Sequence, residues 1–371
     1  MKKKRVFHII SHFELGGAER VAANIAKSGN PEIEYHIVEA LRGSSPFTAS
    51  FLAELRSAGV VCHRSWMPGF HFHFIAERLA AVVFPLRFLL LWLRYRPDVV
   101  HAHTEVPDMC VWAFFRLFPW LQNRCRIVRT IHNTRLWTGL KKFGAMVERF
   151  YQRNGANIAI SQSVLSCYAQ EYGEQPPIIY NGVPETAQEQ MADLPKGKTN
   201  ILFAGRLSEQ KGIPHLIYII KALQDMPRYH FHIVGSGPLL PMVQKEVGAL
   251  PQVSIHAPIF GISRYLASFD YLLMPSEFEG LPLMSAEASM AALPVICSDA
   301  PGLNETVPND WPLVAHGNSH AEYMDIFRRM LPDADRHALQ QAAKEYARQR
   351  FSLRQMQRRY EQVYGALSTF N

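Results

Sequence analysis

The chain has 371 residues, of which 48% are hydrophobic and 19% charged. That is too many for one ordinary core, about right for two domains of typical size, and too apolar for a disordered protein. The formal net charge of +7 sits in the first half: residues 1–185 hold 22 Lys and Arg against 14 Asp and Glu, and residues 186–371 hold 17 against 18. One lobe is therefore expected to meet an anionic surface or ligand.

In chain order, the N-terminus runs Met-Lys-Lys-Lys-Arg into five apolar or neutral residues before Ser11. That run is too short for a signal peptide and reads as a first strand with a basic tail. The spacing predicts further strands beginning near Tyr35, Val60, Asp98, Arg126, Asn157 and Pro177, after the one near Arg5. Helical patterns fill most of the gaps, notably Ala18–Lys27, Phe74–Arg94 and Phe143–Gln152. The segment Ile75–Trp92 is strongly apolar, but Glu77, Arg78 and Arg87 interrupt it, so it is not expected to span a bilayer. A polar stretch after Glu185, TAQEQMADLPKGKT, reads as an interdomain linker. Strand–helix alternation then restarts, with strands expected at Asn200–Ala204, His230–Val234, Val253–His256, Tyr271–Met274 and Pro294–Cys297. From His320 the chain is helical and rich in Arg and Gln. Two such alternating series imply an α/β protein of two Rossmann-like parallel-sheet domains facing one another across a cleft, residues 1–185 and 186–350.

The five cysteines (Cys62, Cys110, Cys125, Cys167, Cys297) are scattered and form no C-x-x-C pair. This argues against a disulfide framework or zinc site and fits a reducing cytoplasm.

Three loops could carry chemistry. Gly16-Gly17-Ala18-Glu19-Arg20 follows a strand and opens a helix, where glycines admit a ligand to the backbone and the helix N-terminus favours negative charge. Gly205-Arg206-Leu207-Ser208-Glu209-Gln210-Lys211-Gly212 follows the strand ending at Ala204. Its two cations stand at the carboxyl end of a strand and can neutralise a diphosphate. Pro275-Ser276-Glu277-Phe278-Glu279-Gly280-Leu281-Pro282-Leu283-Met284-Ser285-Ala286-Glu287 follows the strand Tyr271–Met274. There Glu279 in the loop and Glu287 in the following helix could reach different hydroxyls of one ligand. The same residues could be a tight turn, a pair of solvated charges, and a cap with a solvated helix residue.

Among the histidines, His132 in TIHNT closes a strand, and His101 and His103 alternate along DVVHAHT. His71 and His73 flank Phe72. Either H-x-H pair could ligate a metal, but no third ligand is placed by sequence, and the structural reading is preferred. There is no G-x-x-x-x-G-K-[ST] loop. Gly235-Ser236-Gly237-Pro238 begins like a dinucleotide fingerprint but has Leu240 at the third glycine's place. Asp333-Ala334-Asp335 reads as a helix cap rather than a metal motif. The positive charge comes with no recognised nucleic-acid motif, so no nucleic-acid partner is expected.

Taken in order, GGAER (16–20), HAHT (101–104), TIHNT (130–134), YNGV (180–183), GRLSEQKG (205–212), IVGSGP (233–238) and PSEFEGLPLMSAEA (275–288) resemble glycosyltransferase family four, retaining transferases of GT-B fold found in bacterial surface-polysaccharide pathways. The likeness spans nearly the whole chain, and its most specific element is E-x7-E, met by Glu279 and Glu287. One departure is that the familiar Glu-Gly-Phe-Gly-Leu reads Glu279-Gly280-Leu281-Pro282. The resemblance implies that Arg206 and Lys211 bind the donor diphosphate and Glu287 the ribose. It implies that Glu279 and His132 contact the transferred sugar, and that Gly16 and Gly17 offer amides near phosphate and sugar. Gly235, Gly237 and the segment around Ile259 would lie by the ribose and base, with Gly280, Leu281 and Pro282 lining the donor site. Residues 351–371 would form a helix crossing back to the first domain.

The same resemblance implies a nucleotide-sugar donor, UDP-linked by preference, and a saccharide or lipid-linked acceptor. No metal or other cofactor is expected, because the two cations would take a metal's place. Retention would proceed by same-face substitution rather than through the two-carboxylate scheme, which needs a nucleophile beneath the sugar. On the residues alone, a nucleotide-sugar epimerase, a GDP-mannose-dependent mannosyltransferase and a non-catalytic sugar-nucleotide binder stay open. Apolar and cationic residues in Ile75–Tyr95 and Val111–Leu121 are core helices in the plainer reading. In the sharper one they form a peripheral patch for an anionic membrane at the cytoplasmic face.

Overall fold

The computed structural model describes residues 2–67 and 73–365, with the backbone alone for residues 73–78. His71 and the side chain of His73 thus lie outside the described residues. The chain divides into two compact units: residues up to Gly182 together with those from Leu353 onward, and Val183–Ser352.

The first unit alternates strands β1 (Lys4–Ile10), β2 (Ile33–Glu39), β3 (Val61–His63), β4 (Val99–His103), β5 (Arg126–Ile131) and β6 (Asn157–Ala159) with helices α1 (Gly17–Ala26), α2 (Phe47–Ser57), α3 (His73–Tyr95), α4 (Glu105–Leu117), α5 (Lys141–Arg153) and α6 (Gln162–Tyr172). The second carries β7 (Thr199–Ala204), α7 (Ile213–Ala222), β8 (Tyr229–Val234), α8 (Leu240–Val247), β9 (Val253–His256), β10 (Tyr271–Met274), α9 (Leu283–Met290), β11 (Val295–Ser298) and β12 (Val314–Ala315). It continues through α10 (His320–Asp325), α11 (Leu331–Asp333) and α12 (Arg336–Arg350). The last helix, α13 (Leu353–Val363), belongs to the first unit.

Each sheet is six-stranded and parallel, in the orders β3-β2-β1-β4-β5-β6 and β12-β11-β10-β7-β8-β9. Parallel strands with helices on both faces must be apolar nearly throughout, as in VFHII of β1 and NILFA of β7, which are wholly buried. The strand order reverses direction between β1 and β4 in one sheet and between β7 and β10 in the other. Such switch points open a crevice at the carboxyl ends of the strands.

The strand expected near Pro177 is reduced to a single bridge between Ala159 and Ile178, because Pro176 and Pro177 offer no amide to a ladder. The stretch 186–199 lies against the second unit: the Glu189 amide donates to the Arg264 carbonyl and the Met191 amide to Ser268 Oγ. Asp335 caps α12 by accepting from the Ala338 amide at 3.0 Å.

The helix α13 packs over a polar strip of the first sheet. The Tyr364 hydroxyl lies 2.7 Å from His101 Nδ1 and the Tyr360 hydroxyl 2.8 Å from Thr130 Oγ1, while Gln357 donates to the Asn24 carbonyl of α1.

Candidate active site

In the second unit, the loops after β7, β8, β10 and β11 are laced by their own backbones. Leu207 donates to the Ser236 carbonyl, Leu239 to Leu207, Glu277 to Gln210 and Glu279 to Pro301, all within 3.0 Å. Two glycines make this closeness feasible. Gly212 has φ +68°, and a Cβ there would stand 1.6 Å from the Pro275 carbonyl oxygen; one on Gly235 would stand 1.9 Å from that of Gly205. Gly237 packs in the same way against Leu207.

This lacing brings Lys211 and Glu279, 68 positions apart, into a 2.6 Å ion pair at the switch point between β7 and β10. Glu279 as a residue is only 5% exposed. The pair spends one of the three ammonium donors of Lys211 and leaves two. Arg206, on the same loop, is exposed and makes no ion pair among the described residues. Gly280, Leu281 and Pro282 are buried, and Pro282 is the N-cap of α9 rather than a residue of its first turn. Glu287 is half-buried on α9. Ile259 follows β9 and packs, partly buried, on the unit's core. A shallow cavity of about 310 Å³ lined by Arg228, Tyr229, Tyr271 and Arg336 opens at the other ends of these strands and shares no residue with the loops.

In the first unit, Gly16 is the N-cap of α1. A Cβ on Gly16 would lie 2.1 Å from Glu19 Oε2, whereas one on Gly17 would meet nothing within 4 Å. Gly16 therefore makes room for Glu19, and Gly17 leaves the helix N-terminus open, which suits an anionic ligand. Burial raises the Glu19 carboxyl above its ordinary range, against the pull of His12. The neighbouring loops are pinned by Glu39, whose carboxylate accepts from the Phe13, Gly43 and Ser65 amides and from Arg64. Thr104, directly after β4, has φ +71° and ψ 169°, a region that costs a non-glycine residue about 1–3 kcal/mol. Its hydroxyl lies 3.0 Å from Ser11 Oγ, so the strain sits at the β1/β4 switch point.

His132, the first residue after β5, is half-buried, with Nε2 3.1 Å from His103 Nδ1. The structure supplies the third histidine that spacing could not place: His8 of β1, close enough to His101 and His103 for three ring nitrogens to share an ion. These nitrogens are hydrogen-bonded to their neighbours instead. His101 engages Thr130 and Tyr364, and His103 engages His8 and His132, so that of these three rings only His8 Nε2 is without a partner among the described residues.

The helix α3 packs Phe88 and Trp92 against Phe114 and Phe115 of α4, with buried Phe84 stacked on Phe88. Its other face presents Leu79, Val82, Leu86, Leu90 and Leu93, each 43–67% exposed, with exposed Arg94 and Arg96 at its end. Of the Val111–Leu121 stretch, Phe114 and Phe115 belong to the core, and only Leu117 and Trp120 are strongly exposed among its large apolar residues. Among the described residues, no helix is long and apolar enough to cross a membrane.

Residues 15–186 match the family model described as Glycosyltransferase Family 4, and residues 198–333 the one described as Glycosyl transferases group 1. An uncharacterized 41.2 kDa protein in the cps region of Klebsiella pneumoniae is 24% identical over 388 residues, covering 97% of this chain and 99% of the relative. The O-antigen biosynthesis glycosyltransferase WbnH of Escherichia coli is 29% identical over 123 residues, 33% of this chain and 35% of the relative. In fold, the chain is similar to Anabaena HepE in complex with UDP-glucose, with a TM-score of 0.77 and 17% identity over 98% of this chain and all of that one.

Proposed function

The chain belongs to glycosyltransferase family four, of GT-B fold, and from that premise we propose that it moves a sugar, with retention, from a UDP-sugar to a saccharide or lipid-linked saccharide in surface-polysaccharide assembly. The observation that carries this reading is the Lys211–Glu279 pair at the β7/β10 switch point, with the exposed Arg206 on the same loop. The O-antigen and cps relatives support the pathway, and a neighbour of the same fold that holds UDP-glucose supports the donor.

In this reading Arg206 and Lys211 hold the diphosphate, and Glu287 the ribose. The bond from the anomeric carbon to the diphosphate breaks while one to the acceptor oxygen forms on the same face. The acceptor's proton passes to the departing diphosphate oxygen. No step needs a protein nucleophile, and the protein's contribution is fixed positive charge where the leaving group gains negative charge. In the second unit Glu279 orients Lys211 and contacts the sugar; in the first, His132 is a sugar contact and the amides after Gly16 and Gly17 are offered to phosphate and sugar. Gly235, Gly237 and Ile259 flank the nucleoside; Gly280, Leu281 and Pro282 line the donor.

The test is product configuration. With a UDP-α-sugar the product is α-linked by NMR, and turnover is unchanged by chelator. A β-linked product removes the same-face scheme, and loss restored by magnesium or manganese removes metal independence.

The exposed apolar stripe of α3, beside Arg94 and Arg96 in the more basic half of the chain, supports peripheral contact with an anionic membrane near a lipid-linked acceptor. Replacing Leu86 and Leu90 by Glu should lower cosedimentation with anionic vesicles about 10-fold or more, since each buried leucine is worth about 1.5–3 kcal/mol. Wild-type protein that stays in the supernatant at low salt overturns the membrane reading.

A further inference from the structure

Three histidines form a hydrogen-bonded line through the first unit. The register sets His8 of β1 beside His101, and His103 of β4 beside Thr130, two residues before His132. Side by side across the ladder, His8 Nδ1 is 2.9 Å from His103 Nε2, and His103 Nδ1 is 3.1 Å from His132 Nε2. His8 and His103 are fully buried, and His8 Nε2 has no partner among the described residues. At the other end, His132 is half-buried, and its Nδ1 makes no hydrogen bond with the described residues.

Burial keeps these rings neutral near pH 7. It pushes His8 and His132 down to about 3, and His103 well below the ordinary histidine range, where the neighbouring histidines reinforce it. A neutral ring has one donor and one acceptor nitrogen, so the line admits two arrangements. If His132 donates from Nε2, then His103 donates to His8, and His8 must carry its proton on Nε2 as a buried N–H with no acceptor. If His8 donates from Nδ1, then His103 donates to His132, and the orphaned Nε2 of His8 is a bare acceptor. Buried unpaired donors are rarer than under-used acceptors in folded proteins, which favours the second arrangement. The neighbouring His101 cannot break the line, because Thr130 and Tyr364 engage both its nitrogens.

We propose that His103, backed by His8, is a positioning residue that fixes His132 with its proton on Nδ1, so that His132 meets the donor sugar as a hydrogen-bond donor. This rests on the reading of His132 as a sugar contact. An isolated imidazole samples both tautomers and turns about its bonds; held from behind, the ring needs no reorganisation when the sugar arrives.

The test pairs a spectroscopic readout with kinetics on the full chain. In 15N-histidine-labelled protein, long-range 1H–15N correlations report which ring nitrogen of His132 carries the proton, its resonances being identified by their loss in His132→Gln. The expected wild-type result is Nδ1–H. His103→Phe fills the space but cannot donate; His132 should then lose its fixed tautomer and kcat should fall about 10-fold, the worth of one hydrogen bond of about 1.4 kcal/mol, with donor KM little changed. His103→Asn packs less well but keeps an N–H donor, so it should retain the tautomer and recover most of kcat. A packing role predicts the reverse order. An Nε2–H wild type, or a tautomer indifferent to His103→Phe, overturns the proposal. If the tautomer behaves as stated but His132→Ala transfers sugar at the wild-type rate, then it is the sugar contact that fails. The positioning role falls with it, while the hydrogen-bonded line stands.

Discussion

Replacing Arg206 and Lys211 together by alanine lowers sugar transfer by about 1,000-fold or more, since loss of one preorganised group facing developing negative charge costs about 100- to 1,000-fold. The two single variants separate binding from folding. Arg206 is exposed and has no ion-pair partner among the described residues. Arg206→Ala should therefore leave the free energy of unfolding unchanged within about 0.5 kcal/mol while transfer collapses. Lys211→Ala also strips the nearly buried Glu279 of its cation, so it should lose activity and some stability together. Steady-state kinetics beside urea denaturation read both effects. Wild-type-like turnover of the double variant, correctly folded, contradicts the diphosphate role.

The largest effect on stability is expected at Arg129. Its guanidinium is 1% exposed and holds two carboxylates that are equally buried. It donates from Nε to Asp108 at 2.7 Å, and from both terminal nitrogens to Glu148 at 2.6 and 2.8 Å. Trp137 Nε1 and the Tyr168 hydroxyl complete the shell of Glu148. Arg129→Leu leaves two carboxylates in the core without their cation and should cost the first unit about 3–5 kcal/mol. Replacing Arg129, Asp108 and Glu148 together by apolar residues of similar volume should recover most of that, because the desolvation cost of the ions disappears with them. Urea unfolding followed by tryptophan fluorescence measures both. A single variant within 1 kcal/mol of wild type would mean that the carboxylates are neutral or wet.

The architecture was legible because buried parallel strands leave a strong mark: runs such as VFHII and NILFA are apolar on both faces, and the loops that follow them carry the glycines and charges. Glu279 and Lys211 could be singled out for the same reason, each lying just after such a strand. Their contact was not visible, since it depends on how four loops pack. Helix α2 was given no bounds because its apolar positions blend into neighbouring runs, and α4 was legible only as the apolar stretch Val111–Leu121, without its first turns. Two-residue β12 has too little sequence to show a period. Arg129 sits inside the apolar strand RIVRTI and looks like an interruption until Asp108 and Glu148 are placed around it by α4 and α5. His8 is similar: nothing local distinguishes it, and only the β1/β4 register sets it against His103. Glu39 ends a strand like any other polar residue, and its service to the Phe13, Gly43 and Ser65 amides appears only in three dimensions.

The central claim is that the loops after β7 and β10 hold a nucleoside diphosphate. Calorimetric titration of UDP into the full chain tests it most directly. The account predicts saturable binding to the wild type, weakened about 10-fold or more by Arg206→Ala and abolished when Lys211 is also replaced, since charge-assisted phosphate contacts are each worth about 1.5–3 kcal/mol. Equal affinity in the wild type and the double variant would contradict it, and saturable binding of GDP with none of UDP would overturn the UDP donor.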